Sequence, residues 1–169
     1  MKLEQAIKTA MQYETTIRNI YMTAAQKSRD PVGQKVFGLL AREEREHLEL
    51  LEKLLMEWTD SQKLSPVELR SAVPSKEAVQ KSTKEARSKL ADADRDHELE
   101  LLNKALELEK ETSGFYREMV NQLDAQGQAL FEPFVACEDG HLGLVQAEID
   151  SLTGLGYYFD MQEFNLEAG

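Results

Sequence analysis

Apolar side chains recur at alternating three- and four-residue steps in four segments of the chain. This spacing is typical of amphipathic helices that face the interior of a bundle. It predicts four long helices, over about 3–28, 31–60, 94–123 and 128–153. Asp30-Pro31 ends the first, because proline removes a backbone donor and restricts the residue before it. A short turn at 125–127 is predicted between the third and fourth helices.

The long stretch 61–93 divides the predicted helices into two halves. Pro66 and Pro74 mark it as a linker, and 76–89 is predicted to form a short polar helix. Short connections within each half make an antiparallel helical hairpin, and the linker carries the chain from one hairpin to the other as a long crossover. An aromatic tail at 154–169 is predicted either to cap one end of the bundle or to dock on a second subunit. We expect one domain over 1–169.

The two predicted hairpins are copies of each other. A shift of 94 or 95 residues superposes apolar positions on apolar positions and polar on polar, which indicates an internal duplication. The polar pairs that superpose are Glu14 with Glu109, Tyr21 with Tyr116, Glu44 with Glu138 and His47 with His141.

Six ionisable side chains fall on the inward stripes at the middle of the bundle. They are Glu14, Glu44, His47, Glu109, Glu138 and His141. Four carboxylates buried together would repel one another and lose their water, and no Lys or Arg lies on these stretches of stripe. Protons or metal cations must therefore balance the charge. Each Glu-x-x-His spacing places both donors on one helix face, and mixed carboxylate and imidazole donors suit iron or manganese. A polar core satisfied by protons and water is the alternative.

Three further features have simpler interpretations. His97 follows a charged run and is expected to be exposed, and Cys137 is expected to be a small buried side chain rather than a redox group. The acidic residues that flank the second-helix motif are expected to form its solvated face. They are Glu43, Glu46 and Glu49.

The net charge and the cysteine content exclude several classes of partner and site. The formal net charge of -11 would repel nucleic acid and an anionic membrane surface. Cys137 is the only cysteine, which excludes an intrachain disulfide framework and any CxxC metal site. The N-terminal MKLEQAIKTA has no apolar run of the kind found in a signal peptide, so we expect a cytoplasmic protein.

Taken together, these motifs resemble the ferritin-like diiron-carboxylate proteins, and among them the rubrerythrin-related branch. The matching signature comprises Glu14 with Tyr21, Glu44-Arg45-Glu46-His47, Glu109 with Phe115-Tyr116, and Glu138-Asp139-Gly140-His141. The resemblance implies an all-α, ferritin-like antiparallel four-helix bundle with two iron ions, manganese being possible.

The resemblance also implies roles for single residues. Glu44 and Glu138 would bridge the two ions, Glu14 and His47 would complete one ion's ligands, and Glu109 and His141 would complete the other's. Tyr21 and Tyr116 are candidate catalytic residues that hydrogen-bond ligand carboxylates. The alternative for both tyrosines is a core position with the polar tip satisfied elsewhere.

The implied activity is reduction of hydrogen peroxide or dioxygen at a di-iron centre, in a homodimer. Full rubrerythrins carry a rubredoxin module with two cysteine pairs, so here the electrons are expected from an external donor protein. They also carry an extra carboxylate one turn before the third-helix Glu, where this chain has Leu106. A ferroxidase or iron-handling protein is therefore an alternative, and a non-catalytic metal-binding or regulatory bundle is another.

Overall fold

A computed structural model describes residues 1–73 and 92–154 of the chain. Within them lie four long helices and no strands. We number the helices α1 to α4 in chain order. They are α1 (Leu3–Lys27), α2 (Pro31–Ser61), α3 (Asp92–Gln122) and α4 (Ala125–Thr153). The predicted all-α bundle is confirmed, whereas the short helix predicted at 76–89 and most of the aromatic tail at 154–169 lie outside the described residues.

The helices form two antiparallel hairpins. α1 packs against α2, α3 packs against α4, and α1 also packs against α3. The start of α3 lies at the α1–α2 turn, where the Glu98 carboxylate accepts from the backbone N–H groups of Arg29 and Asp30 at 2.6 and 3.2 Å and from the Ser28 hydroxyl at 2.8 Å. The end of α2 and the start of α3 therefore lie at opposite ends of the bundle, as ferritin-like connectivity requires.

Local signals set the starts of the second and fourth helices. Asp30 caps α2 by accepting from the Val32 N–H at 3.1 Å, directly before Pro31 at the first helical position. Asp124 caps α4 by accepting from the Gly127 N–H at 3.0 Å. The turn predicted at 125–127 is therefore wrong, because the Asp124 cap makes these residues the first turn of α4.

The bundle core consists of two apolar clusters with a polar layer between them. One cluster surrounds Tyr21, Phe37 and Leu102, toward the α1–α2 turn. The other surrounds Ile7 and Phe131, toward the opposite end. Each of the four helices contributes to both clusters and carries its buried Glu between the two contributions. The polar layer is thus sealed from both ends of the bundle.

The segment 62–73 runs back along α2 toward that polar layer. The Glu57 carboxylate accepts from the Ser65 N–H at 2.9 Å, and the Glu43 carboxylate accepts from the Ala72 N–H at 2.6 Å. The two glutamates are about 21 Å apart along the helix, and the seven residue steps from Ser65 to Ala72 span about 23 Å when extended. An extended strap therefore covers this face of α2.

Candidate metal centre

The polar layer brings together all six side chains predicted as ligands. Each is fully or almost fully buried, the most exposed being His47 at 3%. Helical periodicity explains the placement, because each carboxylate continues a stripe of apolar residues that faces the bundle interior. The structure locates these residues together, and their assignment as ligands stays a prediction. They are Glu14, Glu44, His47, Glu109, Glu138 and His141.

The six side chains form two overlapping groups of potential donors. One group comprises Glu14, Glu44, His47 and Glu138, and the other comprises Glu44, Glu109, Glu138 and His141. Within each group one donor atom from every residue lies within 4.8 Å of the others. Glu44 and Glu138 belong to both groups, as the sequence resemblance implied for bridging carboxylates.

The distances between His47 and the nearest carboxylates are those expected of side chains that bind the same ion. His47 Nδ1 lies 3.4 Å from Glu14 Oε2, 3.1 Å from Glu44 Oε2 and 3.4 Å from Glu138 Oε1. Two donors that each bind a first-row metal ion at about 2.1 Å are separated by roughly 3.0–3.4 Å, depending on the angle between them. These contacts are therefore the size expected for neighbouring ligands of one ion.

Several buried polar atoms in the centre lack a hydrogen-bond partner among the described residues. They include both carboxylate oxygens of Glu44 and of Glu138, Glu109 Oε2 and His141 Nδ1. His141 Nδ1 is 2.8 Å from Glu44 Oε1 but is not aligned with it for a hydrogen bond. Buried polar atoms without partners are rare and costly. A pair of cations would satisfy them, so the donor set fits the diiron centre that the fold implies.

Tyr21 and Tyr116 connect the two hairpins across the centre. The Tyr21 hydroxyl in α1 donates to Glu109 Oε1 in α3, and the Tyr116 hydroxyl in α3 donates to Glu14 Oε1 in α1. Burial and the negative charge of the accepting carboxylate raise the pKa of each tyrosine well above its ordinary value, so both hydroxyls stay protonated. Each tyrosine can thus hold one carboxylate oxygen and leave the other free for a metal.

Without metal, protons carry the balancing charge. Burial raises the pKa of Glu109, and the charge of Glu138 raises it further, to well above the ordinary value. Burial opposes the imidazolium form of His141, but the charges of Glu44 and Glu138 outweigh it and raise the pKa of His141 well above 6.5. The same cluster therefore suits protons or metal ions, which compete for it.

Glu43 is a functional candidate that the sequence interpretation missed. It was expected on the solvated face of α2, but it is only 4% exposed and its Oε2 lies 2.7 Å from His141 Nε2. Burial opposes its charge, yet hydrogen bonds from His141 and Ala72 lower its pKa below the ordinary value. A signal was present, because Glu43 lies three residues after Leu40 on the edge of the inward stripe.

Cys137 and His97 also have defined contacts. Cys137 is 7% exposed, as expected for a small buried side chain, and it contributes to the raised pKa of His47. His97 lies at the α1–α2 turn rather than in the cluster, with Nε2 3.0 Å from the Lys27 carbonyl oxygen. His97 is therefore not a ligand of this centre.

The fold and the site together define a four-helix-bundle protein with a buried cluster of carboxylates and histidines that suits a metal site. A scan of protein families matches residues 5–90 to the family described as Rubrerythrin, which spans α1, α2 and the strap that follows. The chain belongs to the rubrerythrin family. No curated protein and no solved structure matches it. In the described residues, no helix is both long enough and apolar enough to cross a membrane.

Proposed function

We propose that the protein is a diiron oxidoreductase that reduces hydrogen peroxide with electrons from an external donor. The observation that supports this most directly is the pair of overlapping donor groups that share Glu44 and Glu138. If each group holds an ion, the shared carboxylates would keep the two ions close together, and a pair of redox-active ions can exchange two electrons in one event. Peroxide reduction needs two electrons.

These ligands would hold two ferrous ions, which would supply the two electrons that, together with two protons, reduce one hydrogen peroxide to two waters. The protein contributes charge balance, because four carboxylates neutralise two divalent ions. The apolar clusters on either side of the centre exclude bulk water. Tyr21 and Tyr116 fix the outer carboxylates Glu109 and Glu14, so that these ligands keep one orientation when the ionic charge changes.

The first test is metal content and reactivity. Protein purified without added metal is loaded with ferrous ion in the absence of air and mixed with peroxide. We expect about two irons per chain and a ferric absorption band in the near ultraviolet. Repeated turnover with an added reductant, without net iron uptake, supports peroxidase activity. Glu44→Gln is expected to lose bound iron, whereas Glu46→Gln, an exposed position on the same helix, is the matched control.

A second candidate function is oxidation and handling of iron. Leu106 supports it, because this buried apolar residue lies one turn before Glu109, at the position where related proteins carry an extra carboxylate associated with peroxidase turnover. A ferroxidase takes up fresh ferrous ion after each oxidation, so iron uptake proportional to oxidant consumed would favour this function. A bound pair that reacts with neither peroxide nor dioxygen would favour a non-catalytic metal-binding or regulatory bundle instead.

The proposal extends to three properties of the protein in the cell. We infer an electron-donor protein as partner because the only cysteine is Cys137, which leaves no cysteine pair for an internal rubredoxin-type iron. We also propose a cytoplasmic homodimer that acts in oxidative stress. Light scattering after gel filtration of the purified chain tests the dimer, and a mass of about 38 kDa is expected from the 19.2 kDa chain.

A further inference from the structure

The histidine of each hairpin contacts side chains of the other hairpin. His141 in α4 lies with Nδ1 near the carboxylates of the centre and with Nε2 2.7 Å from Glu43 in α2. Glu43 directly precedes the shared carboxylate Glu44. The residue before the shared carboxylate of one hairpin therefore orients the histidine of the other hairpin.

The internal repeat predicts the reciprocal contact. A shift of 94 residues places Glu43 on Cys137, which directly precedes the other shared carboxylate, Glu138. Cys137 contributes to the raised pKa of His47, whose Nδ1 faces the carboxylates as that of His141 does. The two imidazole rings lie nearly parallel, with planes 11° apart and centroids separated by 5.5 Å. The two histidines thus have equivalent positions and different partners.

The two partners differ strongly as hydrogen-bond acceptors. The Glu43 carboxylate is charged, and a second set of donors fixes it, the Ala72 N–H at 2.6 Å and the Ser71 hydroxyl at 2.9 Å. The Cys137 sulfur is a weak acceptor. Charged acceptors make shorter and stronger hydrogen bonds, and a carboxylate on the distal nitrogen makes a histidine a more basic metal ligand.

We propose that Glu43 is a positioning residue that makes the two metal positions unequal, because the repeat places the thiol of Cys137, and no carboxylate, at the equivalent position of the other hairpin. The position ligated by His141 binds its ion more tightly, and the position ligated by His47 is the weaker and more readily exchanged of the two. This inference rests on the proposed metal centre. In this inference Cys137 is the thiol that stands in place of Glu43 in the other hairpin, and its oxidation state does not change.

Cobalt(II) loading tests the inference without relying on activity. Cobalt shifts the proton signals of its ligands, so each bound histidine gives a resolved imidazole N–H signal whose exchange with water reports its hydrogen bond. We expect two N–H signals with unequal exchange rates and two unequal binding steps in the titration. Glu43→Gln is expected to speed exchange of the slower signal and to weaken the tighter step by about 10–100-fold.

Cys137 variants separate hydrogen bonding from packing. Cys137→Ser keeps a hydrogen-bond acceptor and is expected to retain the second N–H signal, whereas Cys137→Val fills the space without an acceptor and is expected to speed its exchange. Thermal unfolding by circular dichroism checks that each variant folds. Two bound cobalt ions whose imidazole N–H signals exchange at equal rates in the parent protein, or no effect of Glu43→Gln, would overturn this inference alone. Failure to bind cobalt at all would overturn the metal centre as well.

Discussion

The hydroxyl of Tyr21 in α1 donates a hydrogen bond to Glu109 in α3, 88 residues away in the chain. The internal repeat gives an equivalent contact in the other direction, in which Tyr116 in α3 donates to Glu14 in α1. A tyrosine of each hairpin therefore donates to a carboxylate of the other hairpin. The metal centre is completed only when both hairpins are docked, so metal binding and hairpin packing stabilise each other.

Removal of either hydroxyl is expected to weaken the centre. Tyr21→Phe leaves a Glu109 oxygen without its donor in a buried site, which costs about 1–3 kcal/mol of unfolding free energy. Metal affinity is expected to fall about 10–100-fold, because the ligand loses its fixed orientation. Urea unfolding and a metal titration measure the two effects. Tyr13→Phe is the matched control, since the Tyr13 ring packs on Phe115 instead; equal losses in both variants would contradict the assigned role.

Stability of the metal-free protein is expected to fall as pH rises. The pKa values of His47 and His141 are raised in the folded state, because hydrogen bonds and negative charges of the centre outweigh burial. The folded state therefore binds these protons more tightly than the unfolded state, and the stability they contribute is lost as pH rises through the raised values. The pKa of Glu43 is instead lowered in the folded state. This shift affects stability only in the acidic range, below the ordinary carboxyl pKa of 4.5.

Urea unfolding of chelated protein between about pH 6 and about pH 9 measures this dependence. Metal-loaded protein is the control, and its stability is expected to hold or increase over the same range, because metal replaces the protons. A metal-free protein that becomes more stable toward pH 9 would show that the histidines are neutral in the folded state.

Chelation is expected to destabilise the protein. Binding to the folded state alone adds about 2.7 kcal/mol when free metal is at 100 times its dissociation constant. Differential scanning calorimetry with and without metal measures the change. Glu138→Gln is expected to lose most of this stabilisation, because Glu138 belongs to both donor groups, while Glu132→Gln, exposed on the same helix, is expected to keep it. An unchanged melting temperature after exhaustive chelation would argue against a metal centre.

Gly33 is required where α3 meets the α1–α2 turn. A β-carbon there would lie 2.7 Å from Glu98 Oε2 and 2.9 Å from the Ser28 hydroxyl oxygen. Glu98 cannot move away without losing its bonds to the turn, so Gly33→Ala is expected to cost about 1–3 kcal/mol. Gly38→Ala in open space on the same helix is expected to stabilise by about 0.5–1 kcal/mol. Thermal unfolding of both variants measures these two changes in stability.

Much of the fold could be predicted because helical periodicity is a local property. The three- and four-residue spacing determined the four helices and the face of each that is buried, including the carboxylates Glu14 and Glu109. The repeat at 94 or 95 residues determined that the hairpins are equivalent. The start of α4 was misplaced because the Asp124 cap was not recognised as the local signal that begins the helix.

Contacts between helices depended on the tertiary structure. Periodicity places Tyr21 and Glu43 on particular helix faces, but the axial shift and rotation of one helix against another select their partners, Glu109 and His141. Glu43 also lies where the strap crosses α2, and only the route of that strap removes it from water and supplies the Ala72 N–H. The sequence alone thus determined the helices and the buried carboxylates and histidines, whereas packing decided which residue contacts which of them.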